Sequence, residues 1–174
     1  MGQRTQIIVV KENNKGERQV EVYHHQWGYG RNMYLAFMKC VIEDYNKDTW
    51  KDGYDFFKEH GINSDKWYNV TDEVSKDSLG NINLDDIDTV GNIFCECDNN
   101  NGGMVIFVKE NERSSHPSDY KIGFLLGVED CVNPFAEWAS PQEYGEYNGG
   151  SDYSDAEFVE MFDKFCKYFE VEYF

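Results

Sequence analysis

The sequence predicts an α+β domain in which an antiparallel sheet of about five strands carries two main helices on one face. Short segments rich in β-branched residues are separated by turn residues, which is typical of strands. Two other segments repeat apolar residues at helical spacing. The chain of 174 residues is 40% apolar and 16% aromatic, enough to bury a core. We therefore expect residues 1–174 to form a single domain.

Two hairpins and one further strand make up the predicted sheet. The first hairpin is expected to join strands at residues 4–10 and 19–27. The second is expected to join residues 89–97 to residues 104–109, because an Asn-Gly step between them favours a tight turn. The fifth strand is expected at residues 120–126.

The two main helices are expected at residues 32–46 and 154–170. The second begins at a capping box of Ser154 and Glu157, after which phenylalanines recur at spacings of four, three and four residues. Residues 62–88 are interpreted as a loop-rich acidic insertion with a short helix or two. Residues 127–153 are interpreted as an irregular segment that is both acidic and aromatic.

Charge is distributed unevenly along the chain. Residues 1–60 contain nine Lys/Arg and nine Asp/Glu, whereas residues 61–174 contain seven Lys/Arg and twenty-four Asp/Glu. The whole net charge of -17 therefore lies in the later part. Such a chain is expected to repel nucleic acid and anionic membranes, since binding a phosphate backbone requires Lys and Arg. It suits a basic protein partner, which its field would attract from a distance.

No segment suggests a membrane or an exported protein. No apolar run approaches the roughly 18 residues of a spanning helix. The start of the sequence has no apolar stretch of the kind found in signal peptides. We therefore expect the protein in the cytoplasm, with its five cysteines as free thiols.

Neither a catalytic group nor a metal site is predicted. His24 and His25 would point to opposite faces of a strand, and His60 and His116 fall near loops. Cys95 and Cys97 would share one face of the predicted strand at 89–97. We interpret them as packing residues, because a single C-x-C pair is a weak metal signal. No cofactor is predicted.

The turn formed by Gly28, Tyr29, Gly30 and Arg31 offers an alternative function. It follows a strand and opens a helix, whose first amides could receive an anion, with Arg31 to assist. A small-ligand or nucleotide-binding protein, or an enzyme that also uses the histidines, would follow from it. The turn lacks the third glycine of a dinucleotide fingerprint and the Lys-Ser/Thr of a P-loop. A tight turn that needs positive φ is the competing interpretation.

The acidic aromatic segment is the leading candidate for a functional surface. Aromatic rings anchor protein partners, and carboxylates pair with Arg and Lys or take the place of phosphates. The competing interpretation is that its aromatics cover the core while its acids are solvated. The predicted partner-binding residues are Glu129, Asp130, Glu137, Trp138, Glu143, Tyr144, Glu146, Tyr147 and Asp152.

The opening Met1-Gly2-Gln3-Arg4-Thr5, together with the histidine, tryptophan and glycine segment 23–31, resembles a group of small phage and prophage proteins. Those proteins begin Met-Gly-x-Arg and carry a His/Trp-Gly turn before an amphipathic helix. The resemblance covers about the first quarter of the chain and implies no catalytic residue. Small acidic phage proteins resemble inhibitors of host defence, among them anti-CRISPR proteins that occupy the nucleic-acid site of a nuclease.

These observations together predict a non-enzymatic inhibitor of phage or mobile-element origin. Its expected partner is a basic host protein such as a nuclease of a defence system, and a homo-oligomer is left open. We expect neither direct contact with nucleic acid nor binding to a membrane.

Overall fold

A computed structural model describes residues 4–26, 67–97, 102–110, 118–126, 137–140, 142–144, 155–169 and 171–174. In chain order, the elements are strands β1 (Arg4–Glu12), β2 (Arg18–Gln26) and β3 (Trp67–Asn69), a 3-10 helix (Thr71–Glu73), helices α1 (Lys76–Gly80) and α2 (Ile87–Glu96), strands β4 (Gly103–Glu110) and β5 (Ser118–Leu125), helix α3 (Asp155–Phe169) and strand β6 (Glu172–Tyr173). The protein is α+β, as predicted.

Within the described residues the sheet is mixed and has six strands, in the order β3-β2-β1-β4-β5-β6. The first predicted hairpin is confirmed, since β1 pairs with β2 antiparallel and Ile8 lies opposite Val22. The prediction of a wholly antiparallel sheet of about five strands is wrong. Strand β1 runs parallel to β4, with Ile8 opposite Val105, and β6 runs parallel to β5. Strands at 104–109 and 120–126 are confirmed as β4 and β5, which pair antiparallel.

The predicted strand at 89–97 is wrong, and with it the second hairpin. These residues lie in α2 and its C-terminal cap at Cys97. Val90, Ile93, Phe94 and Cys97 are all buried, at the three- and four-residue spacing of a helix face. Cys95 is half-buried while Cys97 is buried, so the two thiols do not share a face. Gly102, with a φ of 71°, supplies the left-handed turn that leads into β4.

Helices cover both faces of the sheet. On one face, α2 packs in a cluster of buried residues that includes Ile8, Val22 and Val105. On the other face, Phe162 of α3 meets the ring of Phe124 at 4.6 Å between centroids. Helices α2 and α3 therefore lie on opposite faces of the sheet, whereas the expectation that the helices at 32–46 and 154–170 share one face stays a prediction. Of the two predicted main helices, 154–170 is confirmed as α3, while 32–46 lies outside the described residues.

The middle of the sheet is buried from both sides. Ile7, Ile8, Val9 and Val10 follow one another in β1, and each is at most 2% exposed. Met104, Val105 and Ile106 of the parallel neighbour β4 are buried to the same degree. Such uninterrupted burial is typical of parallel strands covered on both faces. None of the described helices is both long and apolar enough to cross a bilayer.

Candidate functional site: an acidic layer over one face of the sheet

The structure describes four of the nine predicted partner-binding residues: Glu137, Trp138, Glu143 and Tyr144. The other five lie outside the described residues: Glu129, Asp130, Glu146, Tyr147 and Asp152. The anion-binding turn of Gly28, Gly30 and Arg31 also lies outside them, as do His60 and His116. For these positions the sequence interpretation stays a prediction.

The four described residues wrap around the edge of strand β5. The backbone amide of Ala139 donates to the carbonyl of Phe124 at 2.9 Å, which attaches the segment to the sheet. Trp138 lies on the face of the sheet that α2 covers, where its ring stacks on Phe174 with centroids 4.6 Å apart and an angle of 15°. Glycine at position 123 makes room for this pair, because a Cβ there would overlap the Trp138 ring.

Tyr144 lies in the core and not on the surface. Its side chain is 0% exposed, and its ring is 5.0 Å from that of Phe124 on the face that α3 covers. We therefore leave Tyr144 out of the contact surface. Glu137 and Glu143 are exposed, whereas Trp138 is half-buried and Tyr144 is buried. Of the four described residues, the two glutamates are therefore the ones that solvent reaches most freely.

Glu143 is held by a capping box at the single helical turn 142–144. Its carboxylate accepts from the Ser140 amide at 2.7 Å and from the Ser140 hydroxyl at 2.8 Å, while its own amide donates to that hydroxyl at 3.2 Å. The Ser140 amide, and after it the hydroxyl, lower the pKa of the Glu143 carboxyl. Glu143 therefore keeps its negative charge to more acid pH than an ordinary glutamate.

A larger acidic surface, which belongs to the acidic part of the chain predicted to bind a partner but whose residues were not named among the predicted contacts, lies in the segment 71–96. We call this segment the acidic layer; its single basic residue is Lys76. Seven carboxylate side chains in it are exposed: Asp72, Glu73, Asp77, Asp85, Asp86, Asp88 and Glu96. The acidic insertion predicted at 62–88 overlaps this layer, and the layer's seven acids against one base account for part of the charge imbalance found in the sequence.

Buried apolar residues of the same segment hold the acidic layer on the sheet. Val74, Ile82, Leu84, Val90 and Phe94 are at most 7% exposed and belong to the cluster that includes β1, β2 and β4 residues. Apolar and acidic residues are interspersed along the segment, and the apolar side chains face the sheet while the acidic ones face solvent. The carboxylates are therefore carried on a packed scaffold.

Two polar contacts attach the acidic layer to strand β2. The amide of Val22 donates to the Thr71 hydroxyl at 2.9 Å. The guanidinium of Arg18 donates to the carbonyl of Ile82 at 3.2 Å. Since β2 lies outside the layer in sequence, these bonds fix the layer relative to the sheet as well as within itself.

Glu96 connects the two helices of the acidic layer. Its carboxylate accepts from the Ser75 amide at 2.6 Å, at the start of α1, and also from the Ser75 and Ser78 hydroxyls. The Ser78 hydroxyl and then the Ser75 amide lower the pKa of Glu96. This carboxylate at the end of α2 is thereby kept ionised and positioned against the start of α1.

Two features of the described residues bear on catalytic chemistry. Those residues contain no group of three or more His, Cys, Asp or Glu side chains arranged to hold a metal ion. Burial raises the pKa of the Cys97 thiol to about 12, with the charges of Glu73 and Glu96 adding to the effect. That thiol stays protonated at neutral pH and is a poor nucleophile. What this arrangement does offer is dense, positioned negative charge.

Comparison with known proteins gives no relative from which a function could be transferred. No protein-family model matches the chain. No curated protein and no solved structure matches it either.

Proposed function

We propose that this chain is a non-enzymatic binding protein whose acidic layer occupies a basic, nucleic-acid-binding surface of another protein. The observation that carries the proposal is the set of seven exposed carboxylates in the segment 71–96, where Lys76 is the single basic residue. Their placement on a packed scaffold supports it, because charges that are already positioned lose less conformational entropy on binding.

Physical chemistry explains why such a surface suits a partner that normally binds nucleic acid. Such partners carry Lys and Arg arranged to meet the closely spaced charges of a phosphate backbone. Carboxylates on a folded surface present the same sign of charge to those side chains. Complementary charge also accelerates the encounter and sets its dependence on salt.

The partner we propose is a nuclease of a bacterial defence system, with Cas9-type nucleases as the sharpest case. This part follows the resemblance of the first quarter of the chain to small phage and prophage proteins, and the analogy between small acidic phage proteins in general and inhibitors of host defence. In this proposal Glu137 and Glu143 extend the contact surface. Glu129, Asp130, Glu146, Tyr147 and Asp152 belong to the same proposed surface by their position in sequence.

A capture experiment tests the electrostatic part of the proposal. The tagged chain is incubated with bacterial lysate at about 0.1 M salt and, in parallel, at about 1 M salt, where the screening length falls from about 10 Å to about 3 Å. Nucleic acid is digested beforehand so that it cannot bridge the proteins. We expect basic nucleic-acid-binding proteins to be captured at low salt and released at high salt. Capture that does not change with salt would contradict the proposal.

A cleavage assay tests the choice of partner. A Cas9-type nuclease loaded with its guide is mixed with the chain before target DNA is added, and in a second arm after the DNA is bound. Competition for the DNA site predicts inhibition in the first arm and much less in the second. If cleavage is unaffected in both arms, the nuclease is not the partner, while the outcome of the capture experiment still decides whether the acidic surface binds basic proteins.

A further inference from the structure

Trp138 and Phe174 form an aromatic stack on the same face of the sheet as the acidic layer. Their rings are nearly parallel, with centroids 4.6 Å apart and an angle of 15° between the planes. Both rings lie over Gly123, where a Cβ atom would overlap them. The Ala139 amide, which donates to the Phe124 carbonyl, fixes the backbone next to Trp138. The stack is therefore positioned before a partner arrives, so binding to it costs little side-chain entropy.

The Phe174 end of the stack already holds a cation. The ammonium of Lys121 lies 5.8 Å from the centroid of the Phe174 ring, which is within the range of a cation–π interaction. The same ammonium is 4.0 Å from the carboxylate of Glu172. At this end, a ring and a carboxylate together hold one positive charge.

The Trp138 end of the stack is partly open to solvent. The Trp138 side chain is half-buried. Within the part of the chain that the structure describes, its ring stacks on Phe174 alone and its indole N–H makes no hydrogen bond. A large aromatic side chain that is fixed in place and still reachable has the properties of an anchor for a protein partner.

Negative charge accompanies Trp138 in its own segment. Glu137, the preceding residue, is exposed and forms no ion pair or hydrogen bond within the described residues. Glu143 is also exposed, and its carboxylate is held by the Ser140 amide at 2.7 Å. A cation that approaches the Trp138 ring is therefore attracted both by this segment and by the acidic layer on the same face of the sheet.

We propose that the Trp138 end of the stack receives an arginine side chain of the basic partner. This inference rests on the proposed function, which supplies a partner rich in Lys and Arg, and it names the side chain that the surface selects. Tryptophan is the best aromatic acceptor of a cation, and the planar guanidinium stacks on a ring better than the strongly hydrated ammonium of lysine does. A stacked guanidinium can also donate to a carboxylate. The acidic layer attracts both kinds of base, whereas the stack favours arginine.

Two synthetic peptides of equal length and charge test this selection. One carries arginines and the other carries lysines at the same positions, and both are titrated into the chain at about 0.1 M salt. We expect the arginine peptide to bind about fivefold more tightly, the ratio that one cation–π contact supplies. Trp138→Leu should remove most of this preference, while Trp138→Phe, which keeps a ring, should retain part of it. Tyr68→Leu changes another exposed aromatic residue and is the matched control, so it should keep the full preference.

NMR provides a local measurement on the unmodified chain. The indole N–H signal of Trp138 is assigned by its loss in Trp138→Phe. In the wild type this signal should move when the arginine peptide binds, and much less when the lysine peptide binds. An indole signal that stays in place while the arginine peptide is bound would overturn the inference, as would a folded Trp138→Leu variant with the full preference. Either result would leave the proposed function standing. If neither peptide binds, the electrostatic part of the proposed function fails, and this inference fails with it.

Discussion

The ring of Phe94 in α2 packs directly against the backbone of Gly103 in β4, so closely that a Cβ atom at position 103 would overlap the ring. This contact seats the second helix of the acidic layer on the sheet. Phe94 is 1% exposed, and its neighbours on the same helix face, Val90 and Ile93, are fully buried. The position of the acidic layer therefore depends on residue 103 being a glycine, which has no side chain to displace the Phe94 ring.

Replacing Gly103 by alanine should destabilise the fold. The added methyl group has to displace a buried ring, and overpacking of this kind costs about 1–3 kcal/mol. Chemical denaturation of Gly103→Ala should show that loss in the free energy of unfolding. Gly80→Ala is the matched control: a Cβ there meets nothing within 4 Å, so this variant should be neutral or slightly more stable. Equal midpoints for the two variants would contradict the close contact.

Tyr144 should behave as a core residue. Its side chain is 0% exposed beside Phe124, so Tyr144→Ala leaves a cavity and should lower the free energy of unfolding by about 3 kcal/mol or more. Tyr68 is 56% exposed, and Tyr68→Ala should change stability by less than about 0.5 kcal/mol. The same denaturation series measures both. If Tyr144→Ala has the same free energy of unfolding as the wild type, the Tyr144 ring is a surface group. Tyr144 would then return to the predicted contact residues.

The carboxylate of Glu96 should stabilise the fold in a pH-dependent way. Its pKa is lowered from the usual 4.5 by the Ser78 hydroxyl and the Ser75 amide. A lowered folded-state pKa contributes stability above the ordinary value, and this contribution is lost as the pH falls through the lowered one.

Glu96→Gln should therefore be less stable than the wild type at neutral pH, by less than about 1 kcal/mol because the group is exposed to solvent. Below the pH range in which an ordinary carboxyl titrates, the difference in the free energy of unfolding between Glu96→Gln and the wild type should shrink. Urea denaturation at neutral and at acid pH measures it, with Asp72→Asn as an exposed control from the same layer. A difference that grows on acidification would be the opposite of this expectation.

Cys97 should resist alkylation in the folded protein. Its thiol is buried, and that burial raises its pKa to about 12. Cys95 is half-buried on another side of the same helix. With iodoacetamide at mildly alkaline pH, fragment-level mass spectrometry should find Cys97 unlabelled in the native chain and labelled in urea. We expect Cys95 to react sooner. Rapid native labelling of Cys97 would show that α2 does not bury it.

The error at residues 89–97 shows where local pattern was misinterpreted. Val90, Ile93, Phe94 and Cys97 have the spacing of one helix face, which was present in the sequence. The β-branched residues and the Asn-Gly step nearby favoured a hairpin instead. A helical repeat of apolar residues that extends over eight positions is stronger evidence for a helix than β-branched residues are for a strand. The reason is that packing of the apolar face on the sheet overrides local strand propensity.

The strand order could be predicted only in part. The first hairpin follows from a turn whose Gly16 adopts a φ of 77°. The parallel pairing of β1 with β4 joins residues nearly one hundred positions apart, and nothing local specifies it. One signal was available: runs such as Ile7–Val10 are apolar without alternation, which indicates strands covered on both faces and hence helices on both sides.

Charge, and not a motif, was the basis on which the candidate site was predicted. The excess of acids after residue 60 predicted a binding surface in the later part of the chain, and the exposed acids of the segment 71–96 lie in that part. It could not separate an aromatic anchor from a core ring, because Tyr144 and its acidic neighbours follow no clear period. Burial of Tyr144 depends on Phe124 in a strand about twenty residues earlier, a contact that tertiary structure alone creates.

The most direct test of the acidic layer compares two triple neutralisations. One variant combines Asp85→Asn, Asp86→Asn and Asp88→Asn in the acidic layer. The other combines Glu157→Gln, Glu160→Gln and Asp163→Asn, exposed residues of α3 on the opposite face of the sheet. Both lose the same negative charge. Affinity for the partner captured at low salt should fall about tenfold, or about 1.4 kcal/mol, for the first variant and change little for the second. Equal weakening by both, or none by the first, would contradict the claim that the acidic layer is the binding surface.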